Sequence, residues 1–335
     1  MSVAGHRSSD GITLHSESLR VVVLPREGAR IASIFHAQSQ TEFLLQPPLP
    51  YRRPESLGLW DRYENSACAG MDECLPTVTV CGPEAPGGPV PDHGDFWRLD
   101  WAVTAAPTGD SVSLAAAGYS RPLFFEKSLR LHSSSLVIDY RIGNLHDAPL
   151  PFHYAAHPLF AIDRGDRIVL PPDLSTVRLE GSRHNRLGAP GSMIAWPLPH
   201  GAASPIDLSR AGAVSDATAD MFYTGQLRSG WCGLYRAQSR QGIVVRFDPG
   251  KLPFLGLWLC YGGWPEDESL PRQHAVAFEP TVAPWATLSA AWDNRQAAVL
   301  APRASFEFSI AIEHTGPAPI TYDEFAARCS GNASL

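Results

Sequence analysis

The chain has 335 residues, 44% of them hydrophobic and 18% charged, and carries a formal net charge of -7. That composition is globular and excludes a disordered chain. A mildly acidic protein without a basic stripe does not attract nucleic-acid phosphates. No stretch approaches the roughly 18 continuous apolar residues that span a bilayer, so no membrane partner is expected. Neutral small molecules remain as the natural ligand class.

The opening MSVAGHRSSDG has no apolar core of the kind secretory signals carry, and residues 1–10 read as a frayed tail. Residues 11–335 read as one domain, since β-sandwiches often run past two hundred residues as a single unit. Thirty prolines and twenty-eight glycines cut the chain into short runs, and within those runs apolar residues alternate with period two. Strands are expected at Leu19–Leu24, Arg30–His36, Arg98–Thr104 and Ser111–Ala117. Leu123–His132 and Leu136–Gly143 read as a hairpin joined through Ser133–Ser135. Leu136, Ile138, Tyr140 and Ile142 share one face of its second strand. Further strands are expected at Gln241–Phe247, Phe254–Tyr261 and around Phe306, Phe308, Ile310 and Ile312. One short helix is expected at Tyr322–Cys329, with Thr321 as its N-cap. There is no βαβ rhythm, no internal repeat and no linker. The expected fold is a large antiparallel β-sandwich. The six cysteines form no CxxC pair, so buried reduced thiols in a cytoplasmic protein are the plain reading and no metal or organic cofactor is expected.

Three segments hold ionisable residues in unusual settings. In Asp92-His93-Gly94-Asp95-Phe96-Trp97-Arg98, a His-Gly turn meets aromatic residues where the long Gly82–Pro91 loop ends. In Phe152–Phe160, His153, Ala155 and His157 would face one side of a strand, with Pro158 ending it. The two histidines would then lie ~13 Å apart, too far to share one metal. In His274–Pro280, Val276 and Phe278 face the core, and Ala275, Ala277 and Glu279 face away. A carboxylate behind two alanines suits a groove wall. Burial against aromatic residues such as Trp285 would raise its pKa. Each segment alone reads equally well as ordinary structure: a turn histidine, a satisfied buried histidine, a solvated glutamate.

Taken in order, these segments resemble the galactose mutarotase-like (aldose 1-epimerase) superfamily, over roughly residues 12 to 315. His93-Gly94 with Trp101 resembles its first histidine motif, and His157-Pro158-Leu159-Phe160 its second. Asp220-Met221-Phe222-Tyr223 resembles its sugar-binding Asp-aromatic segment, and Glu279-Pro280 its C-terminal Glu-Pro. Met71–Thr77 resembles the DExxPT loop of some bacterial branches. The first motif departs from better-known branches by reading HGDFWR, and the upstream substrate arginine has only Arg52, Arg53 and Arg62 as candidates. The resemblance implies Glu279 as general base and His157 as general acid. It implies substrate contacts from His93, Asp220, Asp72, Arg98 and Trp285, and a sugar as the ligand. Retention of a matched acid and base favours an enzyme over a sugar-binding module on the same fold. A metal enzyme using His93, His157 and Glu279, or a lyase or isomerase variant, are minor alternatives.

Overall fold

The structure, a computed structural model, describes residues 11–48, 62–199, 206–316 and 318–331. It is an all-β fold of two large antiparallel sheets. The first has eleven strands, the second eight. Across the first sheet the strands run Ile12–His15, Leu19–Leu24, Arg30–His36, Met71–Cys74, Ala155–Ala161, His274–Thr281, Phe254–Tyr261, Thr218–Thr224, Thr176–Ser182 and Met193–Ala195, with Thr41–Glu42 beside Arg30–His36. Across the second they run Arg167–Val169, Trp231–Arg236, Gln241–Phe247, Ser305–His314, Ser135–Asn144, Leu123–His132, Ser111–Ala117 and Ala102–Ala105.

Alternation decides which side chains lie between the sheets. Leu136, Ile138, Tyr140 and Ile142 point inward from one sheet, and Phe160, Phe222, Val276 and Phe278 from the other, into one continuous core. The same core holds Leu14 and Ile312, near the two ends of the described chain. Burying so many whole apolar side chains, at about 1.5–3 kcal/mol each, is the main stabilising term. A polar cluster also lies in this interior. Glu73 accepts hydrogen bonds from Lys127 (3.1 Å), Tyr140 (2.9 Å) and Tyr154 (2.8 Å), all four buried.

The expected helix forms at Tyr322–Ser330, closed by a capping box between Thr321 and Glu324. Its Phe325 and Cys329 pack on the outer side of the second sheet, with Tyr235 and Val244. Three expectations need correction. Arg98–Thr104 is not one strand, because Phe96–Arg98 forms a 3-10 turn, leaving the strand to Ala102–Ala105. Phe152–Phe160 is not one strand either. It breaks into Leu150–Phe152 and Ala155–Ala161, which pair with different partners. Pro158 does not end its strand, which runs on to Ala161. A second helix, Leu288–Asp293, capped by Thr287, was not expected. No helix among the described residues is long and apolar enough to cross a membrane.

Candidate functional site

The face of the eleven-stranded sheet turned away from the core carries a cavity of about 320 Å³, within the range of small-molecule sites. The sheet register explains what lines its floor. Met71–Cys74 pairs with Ala155–Ala161 so that Asp72 lies opposite His157. On the other side, Ala155 pairs with Thr281 and Leu159 with Ala277; continuing that register sets His157 opposite Glu279. Gly256 lies opposite Glu279, Tyr223 opposite Gly256, and Arg178 opposite Tyr223. Cross-strand neighbours project from the same face, one strand spacing apart. One row therefore runs across the strands: Asp72, His157, Glu279, Gly256, Tyr223, Arg178. Gly256 is the gap in that row. A Cβ there would meet Glu279 Oε2 at 3.0 Å and the Met221 side chain at 3.1 Å.

His157 Nε2 lies 3.8 Å from Glu279 Oε1. His157 Nδ1, Glu279 Oε2 and the Tyr223 hydroxyl are buried and have no hydrogen-bond partner among the described residues. Buried polar atoms are usually satisfied, so three such atoms in or beside one cavity mark places where a ligand would supply the missing bonds. Their dry setting also shifts their titration. Burial raises the Glu279 carboxyl to about 8. Burial, then the nearby His93, lowers the His157 imidazole well below its ordinary range. Burial raises the Asp72 carboxyl to about 6, against the pull of Arg30 and the Tyr63 hydroxyl. Both shifts favour the uncharged forms, a protonated Glu279 carboxyl and a neutral His157 imidazole.

His93 enters from the loop after Gly82–Pro91. Its φ of 58° is left-handed, and the next residue, Gly94, has φ 72°. A Cβ on Gly94 would overlap the Leu75 carbonyl oxygen, at 1.9 Å, so only glycine allows this turn to press against the strand end that carries Asp72 and Cys74. Asp92 anchors the ring, its Oδ1 3.0 Å from His93 Nδ1 and its Oδ2 accepting the Tyr63 backbone N–H at 2.9 Å. Burial pushes the Asp92 carboxyl up, but His93 and the hydrogen bonds outweigh it and the net shift is downward. The Tyr63 ring stacks on His93 with centroids 3.9 Å apart and meets His157 edge-on at 5.3 Å. Its hydroxyl donates to Asp72 at 2.7 Å.

Of the expected site residues, His93, His157 and Glu279 line the cavity. Asp72 sits one strand away from His157 and connects to the cavity through Tyr63. Asp220 is not among the residues lining the cavity. On Thr218–Thr224 the cavity-facing positions are Met221 and Tyr223, while Phe222 enters the core. Asp220 shares the parity of Phe222 and is held by Arg186 and by Ser182 (2.7 Å). Arg98 is buried away from the cavity, bonded to the Tyr119 hydroxyl and lying over the Trp97 ring. Trp285 flanks the cavity without lining it. Its ring stacks under Arg178 at 4.3 Å, and its carbonyl accepts from His153 Nε2 at 2.6 Å. His153 is thus a buried neutral imidazole that holds a loop, its pKa lowered to about 4 by burial. Among the arginine candidates, Arg62 lies at the cavity mouth paired with Glu64 at 3.0 Å, and Arg52 and Arg53 lie outside the described residues.

Tyr63, Asp92, Glu180, Tyr223, Trp258, Trp264 and Gln273 also line the cavity; of these the sequence points only to Tyr223, as part of the Asp-aromatic segment. The other six come from loops, strand ends and neighbouring strands that only the fold gathers. Sγ of Cys74 and one ring nitrogen each of His93 and His157 lie within 4.8 Å of one another, a donor set able to hold a metal ion.

No family model matches the chain, and no curated protein matches it. Solved structures do. It is similar to the Slr1438 protein of Synechocystis sp. PCC 6803 (TM-score 0.65, 18% identity, covering 94% of this chain and 98% of that one). It is similar to a galactose mutarotase-like protein of Lactobacillus casei ATCC 334 (TM-score 0.64, 14% identity, 91% and 99% covered). A galactose mutarotase related enzyme of Lactobacillus acidophilus aligns with TM-score 0.62 and 16% identity over 92% and 98% of the two chains. At these identities the likeness is one of fold, and the fold is galactose mutarotase-like.

Proposed function

We propose that this galactose mutarotase-like fold carries an aldose 1-epimerase-type enzyme, an isomerase acting on a free sugar in the cytoplasm, built as one domain over residues 11–335. The observation that carries the reading is the His157–Glu279 pair, 3.8 Å apart on the floor of a cavity, each with an unpartnered buried atom. An unpartnered buried carboxyl alone would suit a binding module too, since a ligand hydroxyl can satisfy it. Its placement 3.8 Å from an imidazole is what proton transfer needs and simple binding does not.

A cyclic aldose changes anomer by opening and reclosing. Opening requires one proton removed from the C1 hydroxyl and one delivered to the ring oxygen. A pair holding a single proton supplies both moves. The group without the proton takes one from the C1 hydroxyl, and the group with it gives one to the ring oxygen. Rotation about C1–C2 presents the other aldehyde face, and closure reverses the transfers. Because burial favours a protonated carboxyl and a neutral imidazole, Glu279 gives the proton to the ring oxygen and His157 takes one from the C1 hydroxyl, the reverse of the roles the resemblance implies, and they exchange roles on the way back. His93, beside His157, and Tyr223, beyond Gly256, hold hydroxyls on the two sides of the pair, and the gap at Gly256 seats the ring. No redox or group-transfer step enters.

Arg62 is the only Lys or Arg lining the cavity among the described residues, against the carboxylates Glu64, Asp92 and Glu180. That balance favours a neutral aldose over a sugar phosphate. The test is anomer equilibration of freshly dissolved α-aldoses followed by polarimetry. The reading requires acceleration over the spontaneous rate for at least one neutral aldose, and sensitivity of that acceleration to Glu279→Gln.

A further inference from the structure

We propose that Cys74, His93 and His157 form a binding site for a soft divalent cation of the zinc class, and that its occupancy switches the enzyme off. The three side chains come from separate elements: the strand Met71–Cys74, the turn at His93-Gly94 and the strand Ala155–Ala161. Their ligand atoms lie within 4.8 Å of one another. Zn–S and Zn–N bonds of about 2.3 and 2.1 Å at tetrahedral angles place such atoms roughly 3.6 Å apart. Small side-chain rotations close that difference. Ala155, opposite Cys74 and two residues before His157 on the same face, carries only a methyl group.

Two further features belong to a metal site. Asp92 Oδ1 lies 3.0 Å from His93 Nδ1, the carboxylate–histidine arrangement that fixes a tautomer and leaves Nε2 bare for a cation. His157 Nδ1 is buried and has no partner among the described residues, so the ring carries a nitrogen that no protein group claims. Thiolate with imidazole selects zinc or cobalt over magnesium or calcium. On binding, the Cys74 thiol releases its proton to solvent, because the thiolate is the ligand.

A cation held by His157 occupies the lone pair that proton transfer uses, and it sits where the sugar would lie. Inhibition therefore rests on the proposed function; metal binding does not. The experiment is a titration of the purified metal-free chain with Co²⁺, read as absorbance. The expected result is one Co²⁺ per chain, with a thiolate charge-transfer band and intense four-coordinate visible bands, displaced by one equivalent of Zn²⁺. Cys74→Ala abolishes the charge-transfer band and Cys68→Ala leaves it intact. His93→Asn, which keeps the thiol, collapses the visible bands and decides the matter if Cys74→Ala does not fold. Pale octahedral bands only, or bands that survive both Cys74→Ala and His93→Asn, would overturn the site. In the same samples one equivalent of Zn²⁺ lowers the equilibration rate to the spontaneous baseline, and a chelator restores it. If the cobalt bands appear and no sugar is ever turned over, the site stands and the enzyme reading fails.

Discussion

Glu73 and Glu279 are both fully buried glutamates in one sheet, and they differ in almost everything else. Glu73 points into the core and receives three hydrogen bonds, from Lys127, Tyr140 and Tyr154. Glu279 points the other way, into the cavity, where its Oε2 has no partner among the described residues and the nearest cationic candidate is His157 at 3.8 Å. The first carboxylate is satisfied and serves to join the two sheets. The second is left unsatisfied, and its pKa climbs to about 8 because burial alone acts on it. Burial does not distinguish a structural carboxylate from a working one. Completeness of partners does.

The comparison can be broken most forcefully at Glu73. Lys127→Met leaves that carboxylate without its counter-charge, and breaking a buried pair from one side costs about 3–5 kcal/mol. Chemical denaturation should show a loss of that size; a loss under about 1 kcal/mol would mean that the tyrosines alone satisfy Glu73.

Glu279→Gln should have the opposite effect on stability. The folded pKa of Glu279 is raised, so its favourable contribution is complete below about 4.5 and is lost as pH rises through about 8. Above pH 8 the wild type must hold a buried carboxylate charge that glutamine lacks. The variant should be more stable there, by on the order of a few kcal/mol, with the gain vanishing toward pH 4. Melting temperatures measured across pH 4–9 check this. A variant less stable at every pH would show that Glu279 makes structural bonds after all.

Smaller changes test the row itself. Gly256→Ala places a methyl 3.0 Å from Glu279 Oε2 and 3.1 Å from Glu279 Cβ, and should weaken sugar binding on the order of tenfold while costing about 1 kcal/mol or more in stability. Tyr223→Phe removes one unpartnered hydroxyl and should cost about 1 kcal/mol, roughly fivefold in KM. Steady-state kinetics separates both from an effect on kcat. If neither substitution moves KM, the sugar does not lie along this row.

Much of this row is legible in the sequence. The alternation of His274–Pro280 assigns Val276 and Phe278 to the core and Glu279 to the opposite face, as the structure has them. His157 and Glu279 sit far apart in the chain, and only the resemblance to a family pairs them. Strand register then accounts for the pairing in physical terms. Asp220 shows the limit. Its neighbours are aromatic on both parities, so the pattern Asp-Met-Phe-Tyr does not say which face is wet, and the partner that claims Asp220, Arg186, comes from a turn with no periodic signal. Arg98 lies outside the cavity lining for a related reason, since a turn closes where alternation predicts a strand. Loops defeat periodic reasoning altogether, and Tyr63, Trp264 and Ala286 reach the cavity from such segments.

The central claim is that one proton held by His157 and Glu279 interconverts the anomers of a bound aldose. Its most direct test is the pH dependence of catalysed equilibration for a panel of neutral aldoses, by polarimetry, in wild type, Glu279→Gln and His157→Asn. Metal-free protein should show a plateau of kcat/KM that falls on the alkaline side near pH 8, where Glu279 loses the pair's proton, and holds well below the ordinary imidazole range on the acid side. Each substitution should lower kcat about 10²–10⁴-fold while sugar binding changes little. Wild type that binds these sugars yet leaves every one of them at its spontaneous rate, or either variant retaining full kcat, would contradict the account.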